Sequence, residues 1–417
     1  MRTKRVVSVL AVLLCAFLSL HPLCQEIARL PQIQQQQYRD GQEMHIGSLW
    51  SQMIRQDLRM QDDVAVPAGN FKATRVSYKL FGIFSIKNTE VQVMPAIKLW
   101  PGGQSIGVNL QTKGVMVVGQ APVTAQDGKK YYPGRDAGIE TGDTLLKMNQ
   151  ADVLTDQDVA EAVNKAGDKD ERLEIQIQRH GQVITKNVAP IFCAETGRYR
   201  IGLYVRDQAA GVGTLTFIDP ATQKYGALGH VINDADTHQR IEILQGKIVA
   251  SSVQSIEKGR KGHPGEKIGS FLANSSFNGT IDQNTVNGIF GQFSGEIKNP
   301  YFAEPIEVRW AAEVHEGAAK IYTVIQGEKI EEFAVTIERV LSNRTDSKNM
   351  ILRVTDERLI EATGGIIQGM SGSPIVQDGK IIGAVTHVFI NDSLRGYGVF
   401  IQNMLKDSKV LQEQEAA

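Results

Sequence analysis

Apolar and polar residues alternate over short runs along most of this chain. Residues 172–178 alternate strictly, and Gly114–Gly119 and Gly213–Ile218 are short runs with apolar or alternating character. A period of two places successive side chains on opposite faces of a strand, and short apolar runs between turn residues are typical of buried strands. No long helical period stands out after residue 197. The pattern therefore predicts a mainly β protein.

One longer apolar run stands at the start of the chain. Val6–Leu20 follows a basic N-terminus, and about fifteen apolar residues suit the core of a signal peptide better than a full membrane span. We predict that residues 1–24 export the chain across a membrane. Cleavage near Cys24 and retention as an uncleaved anchor both stay open.

Length and composition limit the classes of protein to consider. With 417 residues, 42% of them hydrophobic, the chain predicts two or three folded domains. It has 45 basic and 46 acidic residues and a net charge of -1, so no overall positive field favours nucleic acid. Cys193 is the only cysteine after residue 24, which excludes a disulfide within the folded part.

Residues 25–75 have a different composition from the rest. They include the glutamine-rich run Gln32–Tyr38 and a stretch, Met44–Asp63, in which charges mix with scattered apolar residues. Such stretches bury little apolar surface. We predict a spacer with a short helix that holds the folded part away from the membrane.

Two glycine-containing stretches within residues 76–192 resemble a PDZ domain. The first is Ile106-Gly107-Val108-Asn109-Leu110, and the second, Pro133–Asn149, contains Ala-Gly-Ile-Glu-Thr-Gly-Asp. The resemblance implies that amides of the first stretch bind a peptide carboxylate and that the next strand pairs with the peptide. Asp156–Lys165 would then be the helix that forms the other wall of the groove. A purely structural domain is the alternative.

Residues 193–417 are again rich in short strands and predict a β-barrel or paired barrels. Near the end of this region, Asp378-Gly379 separates two apolar runs, which indicates a tight hairpin. The glycine-rich loop before this hairpin ends at Pro374. The hairpin would hold the loop at the end of a rigid strand pair.

This loop contains a candidate nucleophile, Ser371. A serine hydroxyl needs a base, a group that orients the base, and N–H donors for an oxyanion. Gly369 and Gly372 leave the backbone free to bend, so the amides of Gly369 and Ser371 are candidate oxyanion donors. A hydroxyl bonded locally in a turn is the alternative, and Ser373 is a less favoured nucleophile because it precedes Pro374.

His230 is the candidate base. It lies in Tyr225–Ile232, a mostly small and apolar stretch in which a polar ring is costly without a partner. A core histidine bonded to the backbone is the alternative, and His387, after the nucleophile loop, is the second candidate. Asp356, upstream of the loop, is the candidate orienting acid, with the acidic residues just after His230 as alternatives.

The nucleophile loop resembles that of chymotrypsin-like serine peptidases, except that Ser373 replaces the last glycine of Gly-x-Ser-Gly-Gly-Pro. A closer resemblance, to the stage IV B sporulation peptidases of endospore-forming bacteria, rests on four stretches and on the order of leader, spacer, PDZ domain and peptidase domain. These stretches are Tyr225–Ile232, Thr355-Asp356, Gly364–Pro374 and Ala384–Val388.

This resemblance implies an exported serine endopeptidase, located in the intermembrane space around the forespore. The enzyme would cleave itself and then a membrane-bound regulator of an intramembrane protease, which activates a late sigma factor. His230 matches the general base, Ser371 the nucleophile and Asp356 the proposed acid, although Asp356 lies closer to the serine than the acid of other chymotrypsin-like enzymes. No metal or organic cofactor is implied. A non-catalytic PDZ protein that signals or tethers is the alternative function.

Overall fold

The computed structural model of the chain describes residues 33–37, 54–59, 72–80, 83–94, 96–272, 275–296 and 299–411. These residues form two compact units. The smaller unit takes its described residues from 33–97, 308–314 and 411. It contains a four-stranded sheet in the order β1-β4-β3-β2 and a 3-10 turn, Ala311–Glu313. Its strands are β1 (Ile33–Gln37), β2 (Ile54–Arg59), β3 (Lys72–Leu80) and β4 (Phe84–Met94).

Strands occupy described residues within the predicted spacer. Ile54–Arg59 is a strand that pairs antiparallel with β3 along its whole length, whereas the sequence predicted a spacer without strands, with a short helix at a position that it did not specify. Pairing in the sheet provides these residues with the backbone hydrogen bonds that a helix would otherwise supply. The predicted export signal, residues 1–24, lies outside the described residues. Within the described ranges, no helix combines the length and apolar character needed to cross a membrane.

The larger unit comprises the described residues of 98–307 and 315–410 and holds most strands and all four α-helices of the described chain. Its helices are α1 (Pro133–Asp136), α2 (Asp156–Asp168), α3 (Glu357–Thr363) and α4 (Ile401–Asp407). Its first strands are β5 (Lys98–Pro101), β6 (Ser105–Gln120), β7 (Val123–Thr124), β8 (Lys130–Tyr131), β9 (Thr144–Met148), β10 (Ala151–Asp152), β11 (Leu173–Arg179), β12 (Gln182–Val188), β13 (Ile191–Cys193), β14 (Arg198–Arg200), β15 (Leu203–Ile218) and β16 (Lys224–Ala227). The remaining strands are β17 (Ile243–Glu257), β18 (Glu266–Phe271), β19 (Asn278–Thr280), β20 (Gln283–Thr285), β21 (Gly288–Ser294), β22 (Ile306–Glu307), β23 (Gly317–Val324), β24 (Ile330–Val340), β25 (Met350–Val354), β26 (Pro374–Gln377), β27 (Lys380–Phe389) and β28 (Asp392–Phe400).

Two closed rings of strands form a pair of β-barrels. The first ring runs β6-β17-β19-β21-β16-β15 and closes because β15 also pairs with β6. The second runs β23-β24-β25-β28-β27-β26 and closes on itself. Closure satisfies the strand edges, so each barrel can bury an apolar interior. In the first barrel this interior includes Ile106, Leu215, Tyr225 and Ile248, all fully buried.

A PDZ-like domain extends from one side of the first barrel. Its sheet combines β12, β11 and β9 with the second half of β6 and the start of β15. The predicted helix is present as α2, which begins with a capping box between Thr155 and Asp158. A separate apolar core contains Val115, Leu145 and Ile175. The predicted fold class, mainly β with a PDZ-like domain and a β-barrel domain, is confirmed.

The boundary between these domains differs from the predicted division at residue 192. The first half of β6 pairs with β17 and β15 in the barrel, whereas Val115 and Met116 pair with β9 in the PDZ-like domain. Gly114 lies where β6 passes from the barrel into the PDZ-like domain. Its φ is 87°, and a Cβ there would lie 2.6 Å from Leu145 O. The PDZ-like domain is therefore inserted into the barrel, and no linker composition marks the insertion because one strand runs through both.

Residues Ile106-Gly107-Val108-Asn109-Leu110 do not form the predicted carboxylate-binding loop. They lie inside β6 and pair on both sides, with β15 and with β17. A strand whose two edges are paired offers no backbone donors to a peptide. Helix α2 packs against β14, because Tyr199 N donates to Asn164 Oδ1 at 3.0 Å and the Tyr199 ring contacts Gly167.

Candidate active site

The nucleophile loop joins α3 to β26, and glycines shape it. Helix α3 ends at Thr363, and Gly364, with φ of 75°, is its C-cap. Gly369 and Gly372, on either side of Met370-Ser371, have φ of 88° and 93°, values that favour glycine. A Cβ on Gly372 would also lie 2.0 Å from Thr214 O. The hairpin after the loop is confirmed, with positive φ at both Asp378 and Gly379.

Strand β15 of the first barrel holds this loop in place. Thr214 N donates to Ser371 O at 3.0 Å, and Thr214 Oγ1 donates to Gly369 O at 2.8 Å. Thr216 Oγ1 donates to Gly372 O at 2.7 Å. Because three carbonyl groups of the loop are bonded to one strand, the loop conformation depends on the first barrel although the loop belongs to the second.

Ser371 and Ser373 have different environments. The Ser371 side chain is partly exposed in a cavity, and its Oγ donates to Thr386 O at 2.5 Å. Ser373 is fully buried, and its Oγ donates to Met370 O at 2.6 Å. Only Ser371 of the two can meet a substrate, which agrees with the predicted order of the two candidates.

Two amides of the loop are available to an oxyanion. Among the described residues, neither Gly369 N nor Ser371 N donates to a protein acceptor. Both residues line the same cavity. The neighbouring amide of Gly372 is already used, since it donates to Val385 O at 2.8 Å. The geometry thus fits the predicted pair of oxyanion donors.

His230 lines the cavity that also contains Ser371. Its Nδ1 lies 2.8 Å from Val231 O, and a carbonyl can only accept, so Nδ1 carries the hydrogen and Nε2 keeps a lone pair. Burial lowers the pKa of His230, against the smaller effect of the bond to Val231. The imidazole is therefore neutral at neutral pH and can accept a proton at Nε2.

A second histidine, His387, stands beside the first. The ring centroids of His230 and His387 are 5.0 Å apart, with 40° between the ring planes. His387 Nδ1 is buried and has no hydrogen-bond partner among the described residues. Burial, and next the neighbouring His230, lowers the pKa of His387 to about 4. Both rings are thus uncharged in the same cavity.

Asp356 is not brought to His230. It caps the N-terminus of α3 by accepting from Arg358 N at 3.0 Å, and its Oδ2 accepts from Arg358 Nη2 at 3.0 Å and from Ala334 N at 3.3 Å. Burial raises the pKa of Asp356, but the bonds from Arg358 and Ala334 outweigh it and hold that pKa below its usual value. The group that orients His230 here is the Val231 carbonyl, and the acid role of Asp356 stays a prediction without a contact to His230.

We expect Asp356→Asn to keep kcat within about tenfold of the unchanged protein, because asparagine is also a good N-cap and His230 loses no partner. Asp356→Ala should lower the free energy of unfolding by about 1 kcal/mol through loss of the cap. Steady-state kinetics and urea unfolding of both variants check this. A fall in kcat of about 10⁴ in Asp356→Asn, as expected for a lost orienting carboxylate, would restore Asp356 to the catalytic group.

The acidic residues just after His230 serve another partner. Asp234 Oδ2 accepts from Arg206 Nη1 at 2.7 Å, and Asp236 lies 2.7 Å from Arg206 Nη2. Asp234 also accepts from the backbone of Asp236 and Thr237 in its own turn. These carboxylates are therefore not the orienting acid, and Asp234 lines the cavity instead.

The cavity at the site has a volume of about 800 Å³. The Arg206–Asp234 ion pair lies at one side, where the two charges compensate each other. The rest of the wall is mainly aliphatic and includes Val108, Leu110, Ile232, Ile366, Ile367 and Val388. Part of the stretch predicted to bind a peptide in the PDZ domain thus lines this cavity.

Some residues of the site could not be chosen from the sequence. Thr214 and Thr386 look like ordinary strand residues, and their bonds to the loop depend on how the strands meet. Lys267 on β18 is almost fully buried, while Ile268 and Phe271 on the same strand are exposed. Strand alternation in the sequence does not predict this inverted pattern, with the charge inside and the apolar residues outside.

Comparison with known proteins identifies a family. Residues 197–405 match the family model described as SpoIVB peptidase S55. A curated relative, a putative zinc metalloprotease of Treponema pallidum, is 26% identical over 112 residues, which cover 27% of this chain and 24% of that protein. The match thus spans about a quarter of that relative's length.

Solved structures show a more distant likeness. The active form of the Rv3671c protease from M. tuberculosis is 14% identical, with 48% of this chain and 74% of that chain covered and a TM-score of 0.30. The PDZ domain of an SdrC-like protein from Listeria monocytogenes is 15% identical, with 22% and 87% covered and a TM-score of 0.17.

The family match is the most extensive of these findings. Its residues are just over half of the 417-residue chain and include His230, Asp356 and Ser371. The predicted class, a serine peptidase related to the sporulation peptidases, agrees with it. The chain belongs to the SpoIVB peptidase S55 family.

Proposed function

We propose that the chain is an exported serine endopeptidase that cleaves itself and then a membrane-bound regulator in a sporulation signalling pathway. The observation that carries the peptidase part is the meeting of Ser371, His230 and two available amides in one cavity. The family to which the chain belongs supports the sporulation part. The intermembrane space around the forespore is the proposed location.

The reaction starts with a rotation of the Ser371 side chain. Its hydroxyl leaves Thr386 O, at a cost of about 1 kcal/mol for one hydrogen bond, and turns to His230 Nε2. His230 accepts the proton while Ser371 Oγ attacks the substrate carbonyl, and the amides of Gly369 and Ser371 stabilise the oxyanion. His230 then gives the proton to the leaving amine, and water releases the acyl group by the same steps.

The Val231 carbonyl has a consequence for the rate. A neutral carbonyl fixes the tautomer of His230, as an acid would, but stabilises the imidazolium ion less than a carboxylate does. We therefore propose a slow peptidase. Slow turnover suits an enzyme that acts once on itself and then on a single regulator.

We expect the cavity to select aliphatic side chains at the cleavage site. One methylene group in an apolar pocket contributes about 1–3 kcal/mol to discrimination, and an unpaired charge there is costly. Peptides with leucine, isoleucine or valine next to the scissile bond should be cleaved at least about tenfold faster than those with lysine or aspartate. Mass spectrometry of a digested peptide library measures this, and a preference for charged residues would contradict it.

The whole proposal is tested by incubation of the purified chain. Self-cleavage should appear as a shorter product whose new N-terminus is mapped by mass spectrometry. Co-expression with a candidate membrane-bound regulator should then give a cut regulator. A chain that hydrolyses neither itself nor any peptide would favour the tethering alternative, in which the PDZ-like domain only binds a partner.

A further inference from the structure

A buried lysine lies directly behind the nucleophile loop. Lys267, on β18, is 4% exposed. Its Nζ donates to Thr323 Oγ1 at 2.8 Å and to Thr214 Oγ1 at 3.4 Å. Both partners are uncharged, and burial lowers the pKa of Lys267 to about 7. A buried amine without a carboxylate costs stability, so its place in the fold calls for a role.

Lys267 contacts the loop in three ways. Its backbone N–H donates to Gln368 O at 3.0 Å. Its aliphatic stem runs beside Gly369, where an added Cβ would lie 3.1 Å from the stem carbons. Its amine donates to the Thr214 hydroxyl, which in turn donates to Gly369 O at 2.8 Å. Two successive carbonyl groups of the loop are thus held by one residue, directly and through Thr214.

The direction of these bonds decides where the amides point. In a trans peptide the C=O and N–H groups point in opposite directions. When Gln368 O is held towards β18, the N–H of the same peptide group, Gly369 N–H, is turned away from β18. The Thr214 hydroxyl has a single hydrogen. Because the Lys267 amine donates to a lone pair of this hydroxyl, the hydrogen is directed to Gly369 O.

We propose that Lys267 is a positioning residue for the oxyanion donors. It orients the Thr214 hydroxyl towards Gly369 O and so keeps the backbone from Gln368 to Met370 in the form that leaves Gly369 N–H available. This role rests on the proposed peptidase function. It differs from catalysis, because Lys267 does not line the cavity and touches no substrate.

The test compares variants that remove each end of the contact. Lys267→Met should lower kcat about tenfold or more and leave KM within about twofold, since the oxyanion forms only after substrate binds. Thr214→Val should give a similar loss, and the double variant should be little worse than either single variant. Lys258→Met is the matched control, because the Lys258 amine donates to Glu361 O near the surface, and it should leave kcat unchanged.

Two further measurements separate positioning from folding. Thermal unfolding shows whether Lys267→Met is folded, and Thr214→Ser, which keeps the hydroxyl, should retain most of kcat. A peptide boronate, which places an oxygen at the oxyanion site, should bind Lys267→Met about tenfold more weakly, while binding of the product acid changes little. A full kcat in folded Lys267→Met, or additive losses in the double variant, would overturn the inference.

Failure of the proposed function gives a different result. A fluorophosphonate probe labels an activated serine, so the unchanged protein should be labelled at Ser371. If the unchanged protein is labelled and hydrolyses peptides, and Lys267→Met keeps full activity, only the proposed role of Lys267 is contradicted. If the unchanged protein is neither labelled nor active in hydrolysis, the proposed peptidase function is contradicted, and the proposed role of Lys267 is contradicted with it.

Discussion

Replacement of Ser371 by alanine is expected to lower peptide hydrolysis by at least about 10⁴-fold and to stop self-cleavage. Ser371 carries the only hydroxyl of the described loop that lines the cavity, and loss of a serine nucleophile removes nearly all of the rate that the catalytic group provides. Hydrolysis of a fluorogenic peptide and electrophoresis of the purified chain over time measure both effects.

Ser373→Ala is the matched control for this variant. Ser373 lies two residues further along the same loop, is fully buried and donates to Met370 O. Its loss should lower the free energy of unfolding by about 1 kcal/mol and leave hydrolysis within a few-fold. If Ser371→Ala keeps its activity while Ser373→Ala loses it, the nucleophile has been assigned to the wrong serine.

Replacement of His230 by glutamine is expected to lower kcat by about 10³-fold or more, since an amide cannot accept the proton that Ser371 gives up in the proposed reaction. The pH dependence provides a second test. Burial lowers the pKa of His230, so the base is neutral at pH 7, and kcat/KM should stay high on acidification until the pH falls through this lowered value. Protonation then removes the lone pair and the activity.

His387→Gln distinguishes the two histidines. Burial and the neighbouring His230 lower the pKa of His387 to about 4, so an acid limb set by His387 should lie near pH 4. We expect His387→Gln to reduce kcat by no more than about tenfold and to keep the acid limb of the profile. A larger loss in His387→Gln than in His230→Gln, or an acid limb near pH 4 in His230→Gln, would make His387 the base.

The parts of the site that follow from local sequence were predictable. Positive φ at Gly369 and Gly372 favours glycine, so the glycines in the sequence predict a sharply bent loop around Ser371. Asp378-Gly379 similarly indicates the hairpin that supports it. His230 was also predictable as a polar ring in an apolar stretch. In the structure it is bonded to the backbone, as in the alternative interpretation, and it also lines the cavity, as the proposed base must.

The parts that depend on strand pairing were not predictable. Ile106–Leu110 has the glycine and the apolar residues of a binding loop, but which edges of β6 are free is decided by β15 and β17, more than 90 residues further along the chain. Asp356 has the type and order of a catalytic acid, yet Arg358, two residues away, takes its carboxylate. The role of Lys267 requires Thr214 and Thr323 to meet it from two other strands.

Strand β15 begins in the PDZ-like domain beside Gly119 and ends in the barrel core. Between these ends, its residue Thr214 bonds to the nucleophile loop. The PDZ-like domain is thus not joined to the barrel by a linker at which it could be removed or exchanged. An exchange of this domain would have to join two strands, β6 and β15, in register, because β15 also holds the loop that carries Ser371.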